Sequence, residues 1–362
     1  MTVEPTGRPA VRVLVVGPAP AGPNSRGGMA TVAALMQADP DPRISIRTVP
    51  TYVDADTVTR MRVGVTGMLL SAWLILRGDV DVLHVHLAHG GSVVRKSFPL
   101  WAARLRGVPA VIHGHSFDFG GWLTGLPPLA QRVVRAALPA DRWLVLGRGL
   151  ADEYSSALRL PPGDVEVLYN PVALPPAAVG QVADRVQAVA LGRLGRRKGS
   201  YDIVRAVAAL SADVRASLHV TLAGDGEVEQ VRAAVRDAGV EDAVTVRDWI
   251  GPEERDRVLA ASQVFVLPSY DEGLPMALLE AMAVGLVPIT SPVGGIPEAV
   301  TDGVDGLLVT PGDTTALAAA LERVTRDAGA RAELVAAARA RAADFEISGW
   351  YTRLGELWTG LA

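Results

Sequence analysis

Short runs of apolar residues alternate with segments of helical periodicity along most of the chain. The runs are continuous, which is typical of parallel strands buried on both faces, and the segments between them are long enough for crossover helices. The pattern therefore predicts an α/β fold built on parallel sheets. The predicted strands are 11–16, 44–49, 82–86, 110–113, 143–146 and 165–168 in the first half, and 188–191, 218–223, 243–246, 264–267, 287–290 and 306–309 in the second.

A proline-rich stretch at 170–176 interrupts this alternation near the middle of the chain. Such a stretch is typical of a linker between domains. We therefore expect an N-terminal domain at 1–172 and a C-terminal domain at 173–345. Residues 346–362 are predicted to form an aromatic amphipathic helix that packs back onto the N-terminal domain. Two doubly wound domains bind ligands beyond the carboxyl ends of their strands, so a cleft between them is the expected site.

Composition excludes several classes of protein. Of the 362 residues, 49% are hydrophobic and 20% are charged, which is typical of a globular chain with a packed core. A formal net charge of -4 argues against a general nucleic-acid-binding protein, and we expect no nucleic-acid partner. The absence of cysteine excludes disulfides, cysteine-ligated zinc and a thiol nucleophile.

The segment 63–76 is uncharged and apolar, and arginines flank it. Fourteen residues are too few to span a bilayer, so the segment favours a buried core helix, with contact to a membrane surface as the other interpretation. The first residues lack the charged-then-apolar pattern of an export signal. We therefore expect a cytoplasmic protein, with peripheral contact to the cytoplasmic face of a membrane as an addition to that expectation.

The densest group of candidate chemical residues follows the predicted strand 264–267. Pro275 fits the first turn of a helix, which places Glu272 in the preceding loop and leaves the backbone N–H groups of Gly273 and Leu274 at a helix N-terminus. Free amides suit a phosphate, and the carboxylates of Glu272 and Glu280 suit sugar and ribose hydroxyls. For either glutamate alone, helix capping or simple solvation is the plainer interpretation.

Two cations flank a glycine-rich loop after the predicted strand 188–191. Arg193 can bind two phosphate oxygens at once, and Lys198 supplies a mobile point charge, so the pair suits a diphosphate. In the N-terminal half, Gly28 opens a helix after the first strand, where a small residue lets the backbone approach a pyrophosphate. An ordinary strand-to-helix turn explains Gly28 equally well.

Five of the six histidines lie between positions 84 and 115. His84 and His86 share one face of a predicted strand, and His113 and His115 share a face at the end of another. We expect no metal at this cluster, because no cysteine assists and no His-Glu-x-x-His helix is present.

These motifs together resemble those of retaining glycosyltransferase family 4. The resemblance covers most of the chain. It rests on the two glutamates Glu272 and Glu280, which seven residues including Gly-Leu-Pro separate, and on the later segment 292–298. Further matching segments are Gly192-Arg193-Leu194 with Lys198-Gly199, Ala223-Gly224-Asp225-Gly226, Tyr169-Asn170-Pro171 and the turn at 302–306.

The resemblance implies the GT-B architecture, with two Rossmann-like domains facing a central cleft. It implies a retaining glycosyltransferase that moves a sugar from a nucleotide-diphosphate sugar to a hydroxyl acceptor, such as a polysaccharide precursor, a glycolipid or a small metabolite, without a metal or other cofactor. The implied catalytic residues are His115, Glu272, Arg193 and Lys198, and the implied donor-binding residues are Gly28, Arg193, Lys198, Glu272, Gly273, Leu274, Pro275 and Glu280. His113 is the second choice for the histidine that serves the reacting sugar. The acceptor-side candidates are His113, Asp118, His86, Arg95 and Lys96, and a solvated helix face is an equal interpretation for Arg95 and Lys96.

Other functions stay open on the sequence alone. A metal-dependent transferase would need an Asp-x-Asp pair, and Asp54/Asp56 and Asp79/Asp81 are available, but two doubly wound halves do not fit that class. A nucleotide-sugar epimerase of similar fold or a non-catalytic nucleotide-sugar-binding protein would share the donor residues. A dinucleotide dehydrogenase is disfavoured, because the sequence after the first strand breaks the Gly-x-Gly-x-x-Gly pattern.

Overall fold

A computed structural model describes residues 11–22, 25–175 and 184–362. These residues form two compact units. Unit 1 contains the described residues up to Tyr169 together with Ser348–Ala362, and unit 2 is Asn170–Ile347.

Unit 1 is built on a sheet of six parallel strands, and the order of the strands is β2-β1-β3-β4-β5-β6. Because the chain adds β2 on one side of β1 and β3 on the other, a topological switch point lies between β1 and β3. The strands are β1 (Val11–Pro18), β2 (Ile44–Tyr52), β3 (Val82–Leu87), β4 (Ala110–Gly114), β5 (Arg142–Val145) and β6 (Val165–Val167). The helices are α1 (Gly28–Gln37), α2 (Thr57–Arg77), α3 (Gly91–Arg106), α4 (Phe119–Thr124), α5 (Pro128–Ala136) and α6 (Arg148–Leu158).

Unit 2 repeats this plan with strand order β12-β11-β10-β7-β8-β9, again all parallel. Its switch point lies between β7 and β10. The strands are β7 (Val186–Leu191), β8 (Leu218–Ala223), β9 (Val244–Arg247), β10 (Val264–Leu267), β11 (Val287–Thr290) and β12 (Leu307–Leu308). The helices are α7 (Ser200–Ala209), α8 (Ala212–Ala216), α9 (Val228–Asp237), α10 (Pro252–Ala260), α11 (Met276–Val284), α12 (Ile296–Ala299), α13 (Thr314–Arg326) and α14 (Ala328–Ala342), followed by α15 (Ile347–Leu361), most of which belongs to unit 1.

The twelve strands lie where the apolar runs predicted them, and the α/β fold with two Rossmann-like sheets is confirmed. Burial on both faces holds for the central strands β3 and β4, every residue of which is buried. It is wrong for β2, whose residues are mostly half-buried or exposed. The reason is position, because β2 is an edge strand with a neighbour on one side only.

Helix α15 packs on unit 1. Trp350, Leu354 and Trp358 recur at helical spacing on its buried face. The hydroxyl of Tyr351 donates a hydrogen bond to the Leu35 carbonyl oxygen at 3.0 Å. The indole N–H of Trp358 donates to Nδ1 of His84 at 3.2 Å, so α15 reaches the centre of the unit 1 sheet.

Helix α2 buries Leu74 and Ile75, but most of its large apolar side chains face solvent. The expectation of a buried core helix is therefore wrong for the outer side of α2. Its inner side carries small residues, among them Gly64, Gly67 and Ser71. A Cβ on Gly67 would lie 2.0 Å from the Pro50 carbonyl oxygen, so glycine is required for the helix to lie this close to β2. Six exposed apolar side chains recur every three or four residues, and Leu70 is exposed beside them; the six are Val58, Met61, Val65, Leu69, Trp73 and Leu76.

The neighbouring helix α3 shows the same outward stripe, formed by Val94, Phe98, Trp101 and Leu105. We call these two stripes together the α2–α3 apolar face. Within the described residues, none of the helices combines the length and the hydropathy that crossing a bilayer requires.

Candidate functional site

The switch point of unit 2 brings two of the predicted loops together. One loop follows β7 and carries Arg193 and Lys198, and the other follows β10 and carries Glu272. Because β7 and β10 are adjacent parallel strands, the loops that leave their carboxyl ends lie at the same edge of the sheet. In open α/β sheets, ligands bind at this edge.

Lys198 and Glu272 form an ion pair at this edge, although 74 positions separate them in the sequence. The Glu272 side chain is 8% exposed and that of Lys198 is 18% exposed. The Ser269 hydroxyl donates a second hydrogen bond to the same carboxylate oxygen at 2.8 Å. A carboxylate this far from solvent needs such partners, since an uncompensated buried charge is strongly unfavourable.

Two glycines allow the loops to approach this closely. Gly199 has a φ of +71°, and a Cβ there would lie 2.3 Å from the Pro268 carbonyl oxygen. Gly294 has a φ of +56°, and a Cβ there would lie 1.8 Å from the Glu272 carbonyl oxygen. Any side chain at either position would push the loop away and separate Lys198 from Glu272.

The segment after Glu272 offers backbone donors. Pro275 is the N-cap of α11, and the backbone N–H groups of Gly273 and Leu274 donate to no group within the part of the chain that the structure describes. The carbonyl oxygens of these two residues are held in place, because Gly295 N–H donates to Gly273 and the Asn170 side chain donates to Leu274, both at 2.6 Å. This fixed backbone at a helix N-terminus is suited to an anion.

Arg193 is exposed, and its guanidinium forms no hydrogen bond or ion pair with any described residue. It therefore remains free to bind an anion at this edge. Arg196 and Arg197 are also exposed, and Arg197 donates to the Asp271 carbonyl oxygen at 3.0 Å. The edge is consequently rich in positive charge.

Glu280 lies further along α11 and is mostly buried, with 18% of its side chain exposed. Burial raises the pKa of this carboxyl, and the charge of Arg255 opposes the rise. The Arg255 guanidinium contacts the Glu280 carboxylate at 3.2 Å. No hydrogen bond joins Glu280 to Glu272 in the described chain, and each carboxylate has its own partners.

In unit 1 the structure brings the predicted histidines into one array with His84. His86 and His113 are paired in register on β3 and β4, and Nδ1 of His86 lies 2.8 Å from Nε2 of His115. Neighbouring ring centroids are between 4.3 and 5.6 Å apart. Burial lowers the pKa of His84 and of His115 to about 3 and lowers the pKa of His86 and of His113, so the four rings are neutral.

The other predicted residues of unit 1 form no hydrogen bond with His86 or His115 in the described chain. Gly28 is exposed at the start of α1, and Asp118 is exposed immediately before α4. Arg95 is half-buried, with its guanidinium over the Tyr52 ring. Lys96 is buried and donates to the Thr51 hydroxyl, and burial lowers its pKa to about 7. Arg95 is thus the more accessible of the two cations.

The four aspartates considered for metal binding have structural partners. Asp56 caps α2 by accepting from the Val58 and Thr59 N–H groups, and Asp54 accepts from Arg26 N–H. Asp81 pairs with Arg12, and Asp79 pairs with Arg77.

Sequence reasoning missed several residues that hold the candidate sites in place: Ser269, Asn170, Arg255 and Trp358. Ser269 lies three positions before Glu272, so its role could have been inferred from local spacing. The other three act across 104, 25 and 274 positions, and no local pattern indicates such contacts.

Comparisons with known proteins identify the family to which the chain is similar. The family model of Glycosyl transferases group 1 matches residues 185–327, and that of Glycosyltransferase Family 4 matches residues 11–174. The amylovoran biosynthesis glycosyltransferase AmsK of Erwinia amylovora is 34% identical over 309 residues, which cover 78% of this chain and 70% of AmsK. A D-inositol 3-phosphate glycosyltransferase of Acidothermus cellulolyticus is 31% identical over 294 residues, which cover 74% of this chain and 64% of the relative.

Solved structures show the same fold. Sucrose-phosphate synthase from Thermosynechococcus elongatus superposes with a TM-score of 0.76 at 21% identity, covering 97% of this chain and 99% of that one. HepE of Anabaena, solved in complex with UDP-glucose, gives a TM-score of 0.75 at 18% identity, covering 96% and 99%. At these identities the likeness concerns the fold, which is that of the GT-B glycosyltransferases.

The relatives are sugar transferases, which favours transfer over the epimerase and the non-catalytic binding protein. The two family matches, the AmsK relationship and the GT-B fold lead to one conclusion: the chain belongs to Glycosyltransferase Family 4, a family of retaining, generally metal-independent sugar transferases.

Proposed function

We propose that unit 2 binds a nucleotide-diphosphate sugar at the carboxyl-end edge of its sheet. The observation that carries this proposal is the Lys198–Glu272 pair, which lies at the switch point beside the unpaired amides of Gly273 and Leu274. Arg193 and Lys198 bind the diphosphate, and the amides complete its coordination. Both cations also stabilise the negative charge that develops on the departing diphosphate.

The two carboxylates bind the donor's hydroxyl groups. Glu272 accepts from the hydroxyls of the transferred sugar, and Pro275 fixes the backbone of that loop. Glu280 accepts from the ribose hydroxyls, and the positive charge of Arg255 opposes the rise in its pKa that burial causes. The nucleotide base is left open by these contacts, and UDP-sugars are the first donors to test because the structural neighbour HepE binds UDP-glucose.

Transfer with retention needs the acceptor oxygen to attack the anomeric carbon on the face from which the diphosphate leaves. In this scheme the acceptor hydroxyl proton passes to an oxygen of the departing diphosphate, so no carboxylate nucleophile and no metal are required. His115 of unit 1 serves the reacting sugar, with His113 as the alternative. Gly28 allows backbone approach to the donor, and Arg95 is the cation best placed to meet an anionic acceptor.

Thermal stabilisation by a panel of UDP-, GDP-, ADP- and dTDP-sugars tests the donor site, since a ligand that binds the folded state raises the melting temperature. We expect one nucleotide to stabilise the protein selectively, with and without EDTA. Arg193→Ala should lose this shift, whereas Arg185→Ala in the same unit should keep it. The absence of a shift with every donor, or an undiminished shift in Arg193→Ala, would contradict the proposed site.

We further propose that unit 1 contacts an anionic membrane surface through the α2–α3 apolar face. Contiguous exposed apolar side chains on two neighbouring helices mark an interaction surface. Neither helix contains Asp or Glu, although acidic residues outnumber basic ones in the whole chain. The arginines at the ends of these helices are Arg60, Arg62, Arg77, Arg104 and Arg106. Apolar insertion combined with this local positive charge favours a bilayer with anionic headgroups, and Trp73 and Trp101 suit its interface.

Co-sedimentation with phosphatidylcholine vesicles, with and without phosphatidylglycerol, tests this contact. We expect binding to the anionic vesicles that weakens with salt. Leu69→Gln with Trp73→Gln should reduce binding at least about tenfold, because it removes apolar surface from the centre of the face. Val304→Gln, at an exposed position of unit 2, is the matched control. Equal binding by both variants would refute the assigned face.

A further inference from the structure

The histidine array of unit 1 contains polar atoms without partners. His84, His86 and His113 have no exposed surface. Within the described residues, Nε2 of His84, Nε2 of His86 and both ring nitrogens of His113 have no hydrogen-bond partner. Because a buried ring nitrogen without a partner is unfavourable, the hydrogen-bond donors and acceptors among these four atoms should be balanced in number. One nitrogen from each ring lies within 4.8 Å of the others, which is close enough for one bridging water.

The tautomer of His84 follows from its neighbour on α15. An indole nitrogen can only donate a hydrogen bond, and a neutral imidazole has one donor and one acceptor nitrogen. Because Trp358 donates to Nδ1 of His84, that nitrogen carries no proton. The proton of His84 is therefore on Nε2, which has no hydrogen-bond partner among the described residues.

Counting hydrogen-bond donors and acceptors then indicates which ring nitrogen of His86 carries the proton. If His86 donates from Nδ1 to Nε2 of His115, its own Nε2 is an acceptor. The unpaired set then contains two donors, on His84 and His113, and two acceptors, on His86 and His113. If His115 donates instead, Nε2 of His86 carries a proton, and the set contains three donors and one acceptor. The first arrangement is balanced, and the second leaves buried N–H groups facing one another.

We propose that Trp358 is a positioning residue that, through His84 and His86, holds His115 in the tautomer with its proton on Nδ1. This inference rests on the proposed role of His115 in the reaction. His115 is the partly exposed member of the four histidines, and no described residue hydrogen-bonds to its Nδ1. The array therefore offers the substrate a hydrogen-bond donor at this nitrogen, suited to a sugar or phosphate oxygen, and His115 does not act there as a proton acceptor.

The same tautomers argue against a metal ion among the three buried rings. A tri-histidine site needs a lone pair from each imidazole. The lone pair of His84 accepts the Trp358 N–H, so the array offers lone pairs from His86 and His113 only. The donor set fits a bridging water better than a metal.

Long-range ¹H–¹⁵N correlation spectra of protein labelled at histidine test the proposal directly, since the ring nitrogen shifts distinguish the two tautomers and the chain has six histidines. We expect His115 to be protonated on Nδ1 in the native protein. Trp358→Phe keeps the aromatic packing and removes the N–H, and it should shift His84 and His115 towards a mixture of tautomers. Trp350→Phe is the matched control, because the Trp350 indole N–H on the same helix has no partner among the described residues.

A native His115 protonated on Nε2, unchanged spectra in Trp358→Phe, or zinc-induced shifts of the three buried histidines would overturn the proposal. Kinetics add a second readout: Trp358→Phe should lower kcat about tenfold with little change in the donor KM, whereas Trp350→Phe should leave both unchanged. If His115→Ala retains full activity, the proposed role of His115 fails, while the spectra still decide whether Trp358 sets the tautomer.

Discussion

The Lys198–Glu272 pair allows stability and activity to be separated. Lys198→Met keeps most of the side-chain volume and removes the charge, which leaves the Glu272 carboxylate with the Ser269 hydroxyl as its remaining side-chain partner. Breaking a fully buried pair costs about 3–5 kcal/mol. Lys198 is partly exposed and Ser269 remains, so we expect a loss of about 2 kcal/mol. For a unit of this size that loss lowers the melting temperature by roughly 4–8 °C.

The double variant Lys198→Met with Glu272→Gln provides the decisive comparison. Because it leaves no buried charge, it should recover most of the stability lost in Lys198→Met. It should remain inactive in sugar transfer, since both donor-binding groups are absent. Thermal denaturation and a transfer assay with the donor found in the ligand panel measure the two quantities. Two results would refute this account of the pair: a Lys198→Met variant as stable as the native protein, or a double variant no more stable than Lys198→Met alone.

Two further variants test the structure around the proposed sites. Gly294→Ala should lower both the melting temperature and the turnover more than Gly303→Ala does. Both positions have a positive φ, but only at Gly294 would the new Cβ collide with a backbone oxygen. Equal effects of the two substitutions would show that the close approach is unimportant. The pKa of Lys96 is about 7 in the folded protein and 10.5 as the ordinary value, so the unfolded chain binds the proton more tightly. The free energy of unfolding therefore rises as the pH increases from about 7 to 10.5. Lys96→Met should therefore gain stability over the native protein most clearly at pH 6 and least at pH 10 in urea denaturation, and parallel pH profiles would contradict this.

Local sequence pattern was sufficient to place the strands but not to orient every helix. Strand positions follow from short apolar runs, whose length and composition depend little on distant residues. In α2 nearly every residue from 63 to 76 is apolar or small, so hydrophobicity alone does not indicate which side faces inward. The informative signal was the spacing of Gly64, Gly67 and Ser71, because only small residues allow the close approach to β2.

The candidate donor site was predictable as a set of residues but not as a geometry. Glu272 and Lys198 were identified from their loops, yet their ion pair depends on the adjacency of β7 and β10, which only the sheet order reveals. The Arg255 contact with Glu280 and the Trp358 contact with His84 likewise depend on packing between elements distant in sequence. Long-range packing, rather than local propensity, determines these partners.

The assignment of α15 to unit 1 has a consequence for how the protein is made. Unit 2 is one continuous stretch, whereas unit 1 is completed by residues that follow unit 2 in the chain. During synthesis on the ribosome, unit 2 can fold while the unit 1 sheet still lacks Trp350, Leu354 and Trp358. Unit 1 therefore emerges from the ribosome first but completes its core last. The hydrogen bond from Trp358 to His84 can form only after α15 has been synthesised.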